Sequence, residues 1–202
     1  MNSFNVVRDF EKRVADFFGA PYAVATDCCT HAVELCLRYR NQQTICSPKH
    51  TYVSIPMLAR KLDIKLEWHD FEWTGMYKVN DSLTPSIFDA ATLWKKDSYI
   101  PYSYMCLSFQ FQKHLSLGKG GMILLQDKDE ANGLRRMAYD GRAPDVPWRE
   151  QNILEMGYHY YMTPETAQLG LDKLPDAIKR EPKIWSWKDY PDLTTMGVFK
   201  YG

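Results

Sequence analysis

Ser108-Phe109-Gln110-Phe111-Gln112-Lys113-His114-Leu115-Ser116-Leu117-Gly118-Lys119-Gly120-Gly121 is the stretch whose reading decides this 202-residue chain. Met105-Cys106-Leu107-Ser108-Phe109 reads as a strand that delivers Ser108, and Gly120 to Leu125 reads as another. Between them a glycine-rich connection carries one lysine five residues beyond Ser108. A lysine held on a tight connection loses solvation, and with it a proton, more easily than one on an open face. Such an amine can form a Schiff base with a carbonyl. On spacing alone, an ordinary loop lysine is the simpler reading of Lys113.

The composition bounds the rest. The length suits one domain, or one and a small appendage. At 45% hydrophobic and 14% aromatic residues the chain can bury a core, which excludes a disordered tail and a disulfide-stapled mini-protein. Lys+Arg and Asp+Glu both number 25, so the net charge is zero. That balance argues against bulk binding to nucleic acid or an anionic membrane and leaves room for a local anion site. No apolar run approaches the ~18 residues of a membrane span. The opening Met1 to Arg13 has no apolar signal core, so a cytoplasmic location is expected. The five cysteines, Cys28, Cys29, Cys36, Cys46 and Cys106, fit neither a disulfide framework nor a zinc ribbon. A reduced chain without a metal site is expected.

Helical and strand signals alternate, which predicts an α/β layer fold. Val6, Phe10, Val14 and Phe17 lie at helical spacing before Gly19. Tyr22 to Ala25 reads as a buried strand, and an amphipathic helix follows through Ala32 and Leu37. Ile45 marks a strand closed by Pro48. Val53 to Leu62 is helical with Pro56 in its first turn. Lys65 to Trp68 alternates like a strand, and Pro85 to Asp89 is a short apolar run ending in a carboxylate. Asp127 to Tyr139 is helical. Thr163-Pro164 opens a further helix, with Thr as cap and Pro at the first helical position, that ends near Leu174-Pro175. Residues 1–180 read as one domain. Residues 181–202 read as an aromatic tail that packs on that domain or on a partner subunit.

The motif Ser-Phe-x-x-x-Lys-x-Leu-x-x-Gly-x-Gly-Gly resembles the cofactor-lysine motif of the DegT/StrS family of pyridoxal-phosphate (PLP) dependent nucleotide-sugar aminotransferases. Other stretches agree in the family's order. Phe10-Glu11 through Phe18-Gly19-Ala20-Pro21-Tyr22-Ala23-Val24-Ala25 resembles the opening helix and first strand. Cys28-Cys29-Thr30-His31-Ala32-Val33-Glu34-Leu35 lies where the family has Ser-Gly-Thr and an Ala/Leu-rich helix. Pro48-Lys49-His50-Thr51-Tyr52-Val53, Asp89-Ala90-Ala91 and Gly157-Tyr158-His159-Tyr160-Tyr161-Met162-Thr163 are similar to further family segments. The resemblance runs from about Phe10 to Leu174. It implies the PLP-dependent transferase fold of aspartate aminotransferase type, with a mixed, mostly parallel sheet flanked by helices.

The resemblance also implies roles. Lys113 holds PLP covalently and then moves the proton between substrate carbon and cofactor carbon. Asp89 keeps the pyridine nitrogen protonated, so that the ring is an electron sink. Tyr52 stacks on the ring, while Ala91 and Thr92 lie near it. Thr30 with the helix start, Cys28, Cys29 and Ser108 surround the phosphate. His159 stands where the family's Asn reaches the phosphate of the neighbouring subunit, which implies a homodimer with shared active sites. Each residue also has a plainer reading: Asp89 as a strand-end turn residue, Thr30 as an N-cap, Tyr52 as a core tyrosine, His159 as an ordinary surface or core histidine.

Four departures from the family pattern stand out. Cys28-Cys29 replaces Ser-Gly, and a Cβ at residue 29 is expected to crowd the backbone where phosphate approaches. Thr92 replaces a longer Gln or His, His159 replaces Asn, and Tyr161 replaces Arg. The family's second, smaller domain has no counterpart in the sequence, so a wetter site is expected. The leading reading is a minimal aminotransferase that takes an amino group from an amino acid such as glutamate and passes it to a keto acid or keto-sugar. The alternatives are another PLP reaction (racemisation, decarboxylation or elimination) or a relic that binds cofactor or partner without turnover.

Overall fold

The computed structural model describes residues 4–81 and 85–200; Met1 to Ser3, and Tyr201 and Gly202 at the end of the tail, lie outside them. The first helix, α1 (Asn5–Phe18), buries Val7, Phe10, Val14 and Phe18 and stops at Gly19, whose φ of 77° is left-handed. Strand β1 (Tyr22–Thr26) leads into α2 (Cys29–Tyr39). Then β2 (Thr44–Pro48), α3 (Ser54–Leu62) and β3 (Lys65–His69) form a β-α-β unit with parallel strands. Strands β4 (Tyr77–Lys78), β5 (Ser86–Asp89), β6 (Ser103–Ser108) and β7 (Gly121–Leu125) follow, then α4 (Lys128–Ala138) and α5 (Pro164–Lys179).

Among the described residues the main sheet has the order β1-β7-β6-β5-β4. The β2–β3 pair joins its edge through the Cys46 N–H, which donates to the Val79 carbonyl at 2.9 Å. Side chains alternate across the sheet. Val24, Cys106 and Ile123 face the core shared with α2 and α3, whereas Ala25, Met105, Leu107 and Leu124 face the core shared with α1 and α5. Each fully buried Phe or Leu in these layers contributes roughly 1.5–3 kcal/mol.

The mixed sheet flanked by helices is as expected, but parallel pairing does not predominate in it. The β1–β7, β6–β7 and β4–β5 ladders are antiparallel, and β5–β6 is parallel. Only β4 and β5 are joined by a short return; the connections on either side of β6 are nearly equal in length, and β7 runs antiparallel to both its neighbours, β1 and β6. Strand β4, which no periodicity marks, turns back into β5 after Val79 and Asn80. Helix α5 also runs past Pro175 to Lys179. Pro175 lacks an N–H, yet Leu174 and Ala177 on either side of it are buried, and their packing outweighs the lost bond.

The tail is extended, with single 3-10 turns at Trp187–Asp189 and Leu193–Thr195 and a short α6 (Gly197–Lys200). Gly75 N–H donates to the Trp185 carbonyl at 2.9 Å, and Trp187 N–H to the Trp73 carbonyl at 3.1 Å. Leu193 N–H reaches the Lys49 carbonyl at 2.9 Å. The described part of the tail therefore lies against residues 49–50 and 73–75. No described helix is long and apolar enough to cross a membrane.

Candidate active site

A cavity of about 380 Å³ opens where β6 ends and α2 begins. Cys28, Cys29, Thr30, Tyr52, Asp89, Ala91, Thr92, Ser108 and Lys113 all line it. His159 does not; it lies on the surface, 70% exposed, with Nδ1 3.0 Å from Asp140 Oδ2.

The lysine is held by its loop. Phe109 N–H donates to the Gly120 carbonyl (2.9 Å), Leu117 N–H to the Phe109 carbonyl (2.8 Å) and Lys113 N–H to the Gln110 carbonyl (2.8 Å). Gly118 (φ 81°) and Gly120 (φ 155°) supply backbone shapes that side chains disfavour. Buried Phe109, Leu115 and Leu117 pin the loop to the α1–α5 core. Lys113 is left half-buried, with its ammonium 5.6 Å from the centre of the Trp185 ring.

Asp89 ends β5 at the floor of the cavity and is 6% exposed. Its Oδ2 accepts the Tyr77 hydroxyl at 2.6 Å and its Oδ1 the Ala91 N–H at 2.9 Å. Tyr77 also bonds the Thr51 hydroxyl. Burial pushes the Asp89 carboxyl above the usual carboxylate range, while Tyr77, Ala91, Lys113 and Cys29 pull it back. Burial likewise pushes the Tyr77 phenol and the Cys29 thiol well up.

The third wall is made of helix starts. Cys28 caps α2 in extended conformation, and Thr30 Oγ1 lies 2.8 Å from Ser54 Oγ, the first residue of α3. The unpaired N–H groups of the α2 start and the two hydroxyls meet there, which suits an anion; at the α3 start the Ile55 N–H already donates to the Tyr52 carbonyl and Pro56 has none. The Cys29 side chain turns inward, 8% exposed, with Sγ 3.3 Å from the Cys106 carbonyl and 3.9 Å from Asp89 Oδ1. The Cys29 side chain thus packs inside the fold, beside Asp89 and Cys106. The position that demands a missing Cβ is Gly121, where one would lie 2.4 Å from the Cys28 carbonyl carbon and 2.5 Å from the Cys29 nitrogen. Beside this wall Asp27 bridges His31 Nδ1 (2.6 Å) and Lys119 Nζ (2.9 Å). Burial works against a charged His31 ring, yet the Asp27 carboxylate, with Cys28, holds it up to about 9.

Thr92 donates its hydroxyl to the Gly75 carbonyl at 2.7 Å, so it ties the floor to the 73–75 segment. Tyr52 is 61% exposed on the cavity rim. Sequence reasoning missed Thr51, Ser54, Trp73, Tyr77, Trp185 and Tyr190 as lining residues. Of these, Thr51 carried a signal as part of the Pro48 to Val53 segment, and Trp185 and Tyr190 as part of the aromatic tail.

The model of the DegT/DnrJ/EryC1/StrS aminotransferase family matches residues 1–72 and 102–186. The chain belongs to that family. The matched parts carry Lys113, Thr30 and Tyr52; the unmatched 73–101 carries Asp89, Ala91 and Thr92. Among solved structures the family member resembles AtS13 from Actinomadura melliaura, with a TM-score of 0.75, 18% identity, and coverage of 87% of this chain and 61% of that one. The sugar aminotransferase CalS13 from Micromonospora echinospora gives 0.69, 14%, 86% and 61%. A 3-amino-5-hydroxybenzoic acid synthase gives 0.66, 18%, 85% and 56%. The chain thus spans about 60% of the length of these relatives. The likeness establishes the aminotransferase-type fold. No curated protein matches the chain in sequence.

Proposed function

We propose that the chain binds PLP through Lys113 and transfers an amino group from an amino-acid donor, such as glutamate, to a keto acid or keto-sugar. The observation that carries this reading is one cavity with a lysine amine, a buried carboxylate and two hydroxyl-bearing helix starts on its walls. That donor set fits PLP: an amine for the aldehyde, a carboxylate for the ring nitrogen, and N–H and hydroxyl donors for the phosphate. Bound there, PLP supplies an electron sink for charge that develops on the substrate carbon.

The chain's own groups do the rest. The Lys113 Nζ takes the proton from the donor's α-carbon and returns one to the acceptor. Asp89 keeps a proton on the ring nitrogen, and the Tyr77 hydroxyl and Ala91 N–H fix the orientation of its carboxylate. Thr30, Ser54 and Ser108 hold the phosphate with the N–H groups at the start of α2. Trp73, Trp185 and Tyr190 narrow the access of water. A homodimer is part of the proposal. Ile153, Leu154 and Met156 expose apolar surface that a second copy would cover, and the exposed His159 is the residue proposed to reach that copy's cavity.

Borohydride reduction of the PLP-loaded protein, followed by digestion and mass spectrometry, tests the reading. A pyridoxyl group is expected on the Lys113 peptide, and none on Lys113→Ala. A label on another lysine, or on none, refutes it. Release of keto acid from an amino-acid panel then separates amino transfer from racemisation, decarboxylation, elimination or simple binding. Light scattering tests the dimer.

A further inference from the structure

The β2–β3 pair carries a group of side chains that the proposed chemistry does not use. Its parallel register sets Cys46 directly beside Glu67. His69 lies two residues further along β3, so it shares the face of Glu67. One ligand atom from each of Cys46, Glu67 and His69 lies within 4.8 Å of the others. The Cys46 residue is 8% exposed, and its free thiol has no hydrogen-bond partner among the described residues. Glu67 and His69 are open to solvent at 36% and 46% of their side chains. Glu67 Oε1 pairs with Lys65 at 2.6 Å, while its Oε2 faces His69 Nε2 at 3.9 Å.

We infer that Cys46, Glu67 and His69 form a binding site for a zinc-class divalent cation. A sulfur, an imidazole nitrogen and a carboxylate oxygen are the donors that select zinc over calcium or magnesium, which take oxygen alone. Three protein ligands leave a fourth position for water on the solvent side. On binding, Cys46 releases its thiol proton to solvent, and the thiolate and the Glu67 carboxylate balance the two positive charges. Glu67 gives up its pairing with Lys65, an exposed ion pair of little worth. The site fastens β3 to β2 and is separate from the Lys113 cavity, none of whose lining residues it shares.

A second cluster, Asp27, Cys28 and His31, is equally close-set. There, however, both Asp27 oxygens and the His31 Nδ1 are already bonded, and Lys119 adds a positive charge. That makes Cys28 the control for the proposal.

Titration of the full, metal-stripped chain with Co²⁺ tests the site. One equivalent is expected to give a near-ultraviolet sulfur-to-cobalt charge-transfer band that Zn²⁺ abolishes by competition. The band should vanish in Cys46→Ser and persist in Cys28→Ser. His69→Ala removes an exposed ligand with little risk to folding, and should weaken Co²⁺ binding at least ~10-fold. No band in the wild type, a band that survives in Cys46→Ser or disappears in Cys28→Ser, or unchanged affinity in His69→Ala would each overturn the inference.

Discussion

Replacing His31 with Gln tests the electrostatics of the wall where α2 begins. The ring sits in the first turn of a helix, where the dipole disfavours positive charge. Burial opposes the charge as well, but Asp27 and Cys28 hold the ring up to about 9 from its ordinary 6.5. At ~1.4 kcal/mol per pH unit the preference for the charged ring has a ceiling of ~3 kcal/mol. The His31 and Asp27 side chains are 22% and 23% exposed, and Asp27 is shared with Lys119. Solvent screening and sharing reduce the expected value to ~1–2 kcal/mol. A pKa raised on folding stabilises fully below the unfolded value near 6.5, and that contribution fades as pH climbs through about 9. His31 also stacks on Tyr160, with centroids 3.7 Å apart, and losing that contact adds an offset that pH does not change. The readout is therefore the change in the wild-type-to-variant gap. Calorimetric melts at ~pH 6 and ~pH 10 should show it narrowing by ~2–8 °C. A constant gap, or an NMR titration of the His31 ring near 6.5, would refute the reasoning.

Two further substitutions probe the floor and the turn. Tyr77→Phe removes a 2.6 Å bond to the Asp89 carboxylate and should cost ~1.5–3 kcal/mol in urea unfolding near neutral pH. Because burial already raises Asp89, its charged form weakens the fold as pH rises past the unfolded value, and Tyr77 limits that loss; the cost should shrink toward ~pH 3.5, and a pH-independent cost would count against the network. Gly121→Ala places a methyl 2.4 Å from the Cys28 carbonyl carbon, a backbone atom that cannot swing away, so ~1–3 kcal/mol or more of stability should be lost. A wild-type midpoint in guanidinium would show that the β7–α2 contact is looser than this geometry requires.

Local signals made much of the fold legible. The heptad-like spacing in α1, the glycine after it and the cap-and-proline opening of α5 are each encoded within a few residues. The end of α5 is not, because whether Pro175 stops a helix depends on what Leu174 and Ala177 bury, and that lies in α1 and the sheet. Strand direction was hidden as well, because connections of nearly equal length on either side of β6 give one parallel and one antiparallel ladder. In the site, Lys113 was legible through its motif, with its glycines at left-handed turns. Tyr77 was not. It sits in a two-residue strand without periodicity, and its bond to Asp89 exists only because β4 folds back on β5. The inward setting of Cys29 was not legible either. Its side chain is inward in the folded chain, and the close approach needed there is supplied by a glycine from β7.

The cavity therefore has walls of two origins. The parts that match the family supply the amine of Lys113 and the hydroxyls of Thr30 and Ser54. The unmatched 73–101 supplies Asp89, Tyr77 and Trp73, and the end of the chain beyond the match supplies Tyr190. These two unmatched pieces hold each other. Trp187 N–H bonds the Trp73 carbonyl, and the Trp73 and Tyr190 rings lie 5.5 Å apart. Trp73 in turn donates its indole N–H to the His50 carbonyl at 2.7 Å, and the His50 ring meets the Tyr190 carbonyl at 2.9 Å. A change in one piece is thus transmitted to the other through bonds that bypass the lysine loop. In the proposed reading, the lysine that takes PLP lies in a matched part of the chain, whereas Trp73 and Tyr190, which shape the space beside it, lie in the unmatched ones. Substitutions at Trp73 or Tyr190 should therefore alter which substrates fit while leaving the covalent link intact.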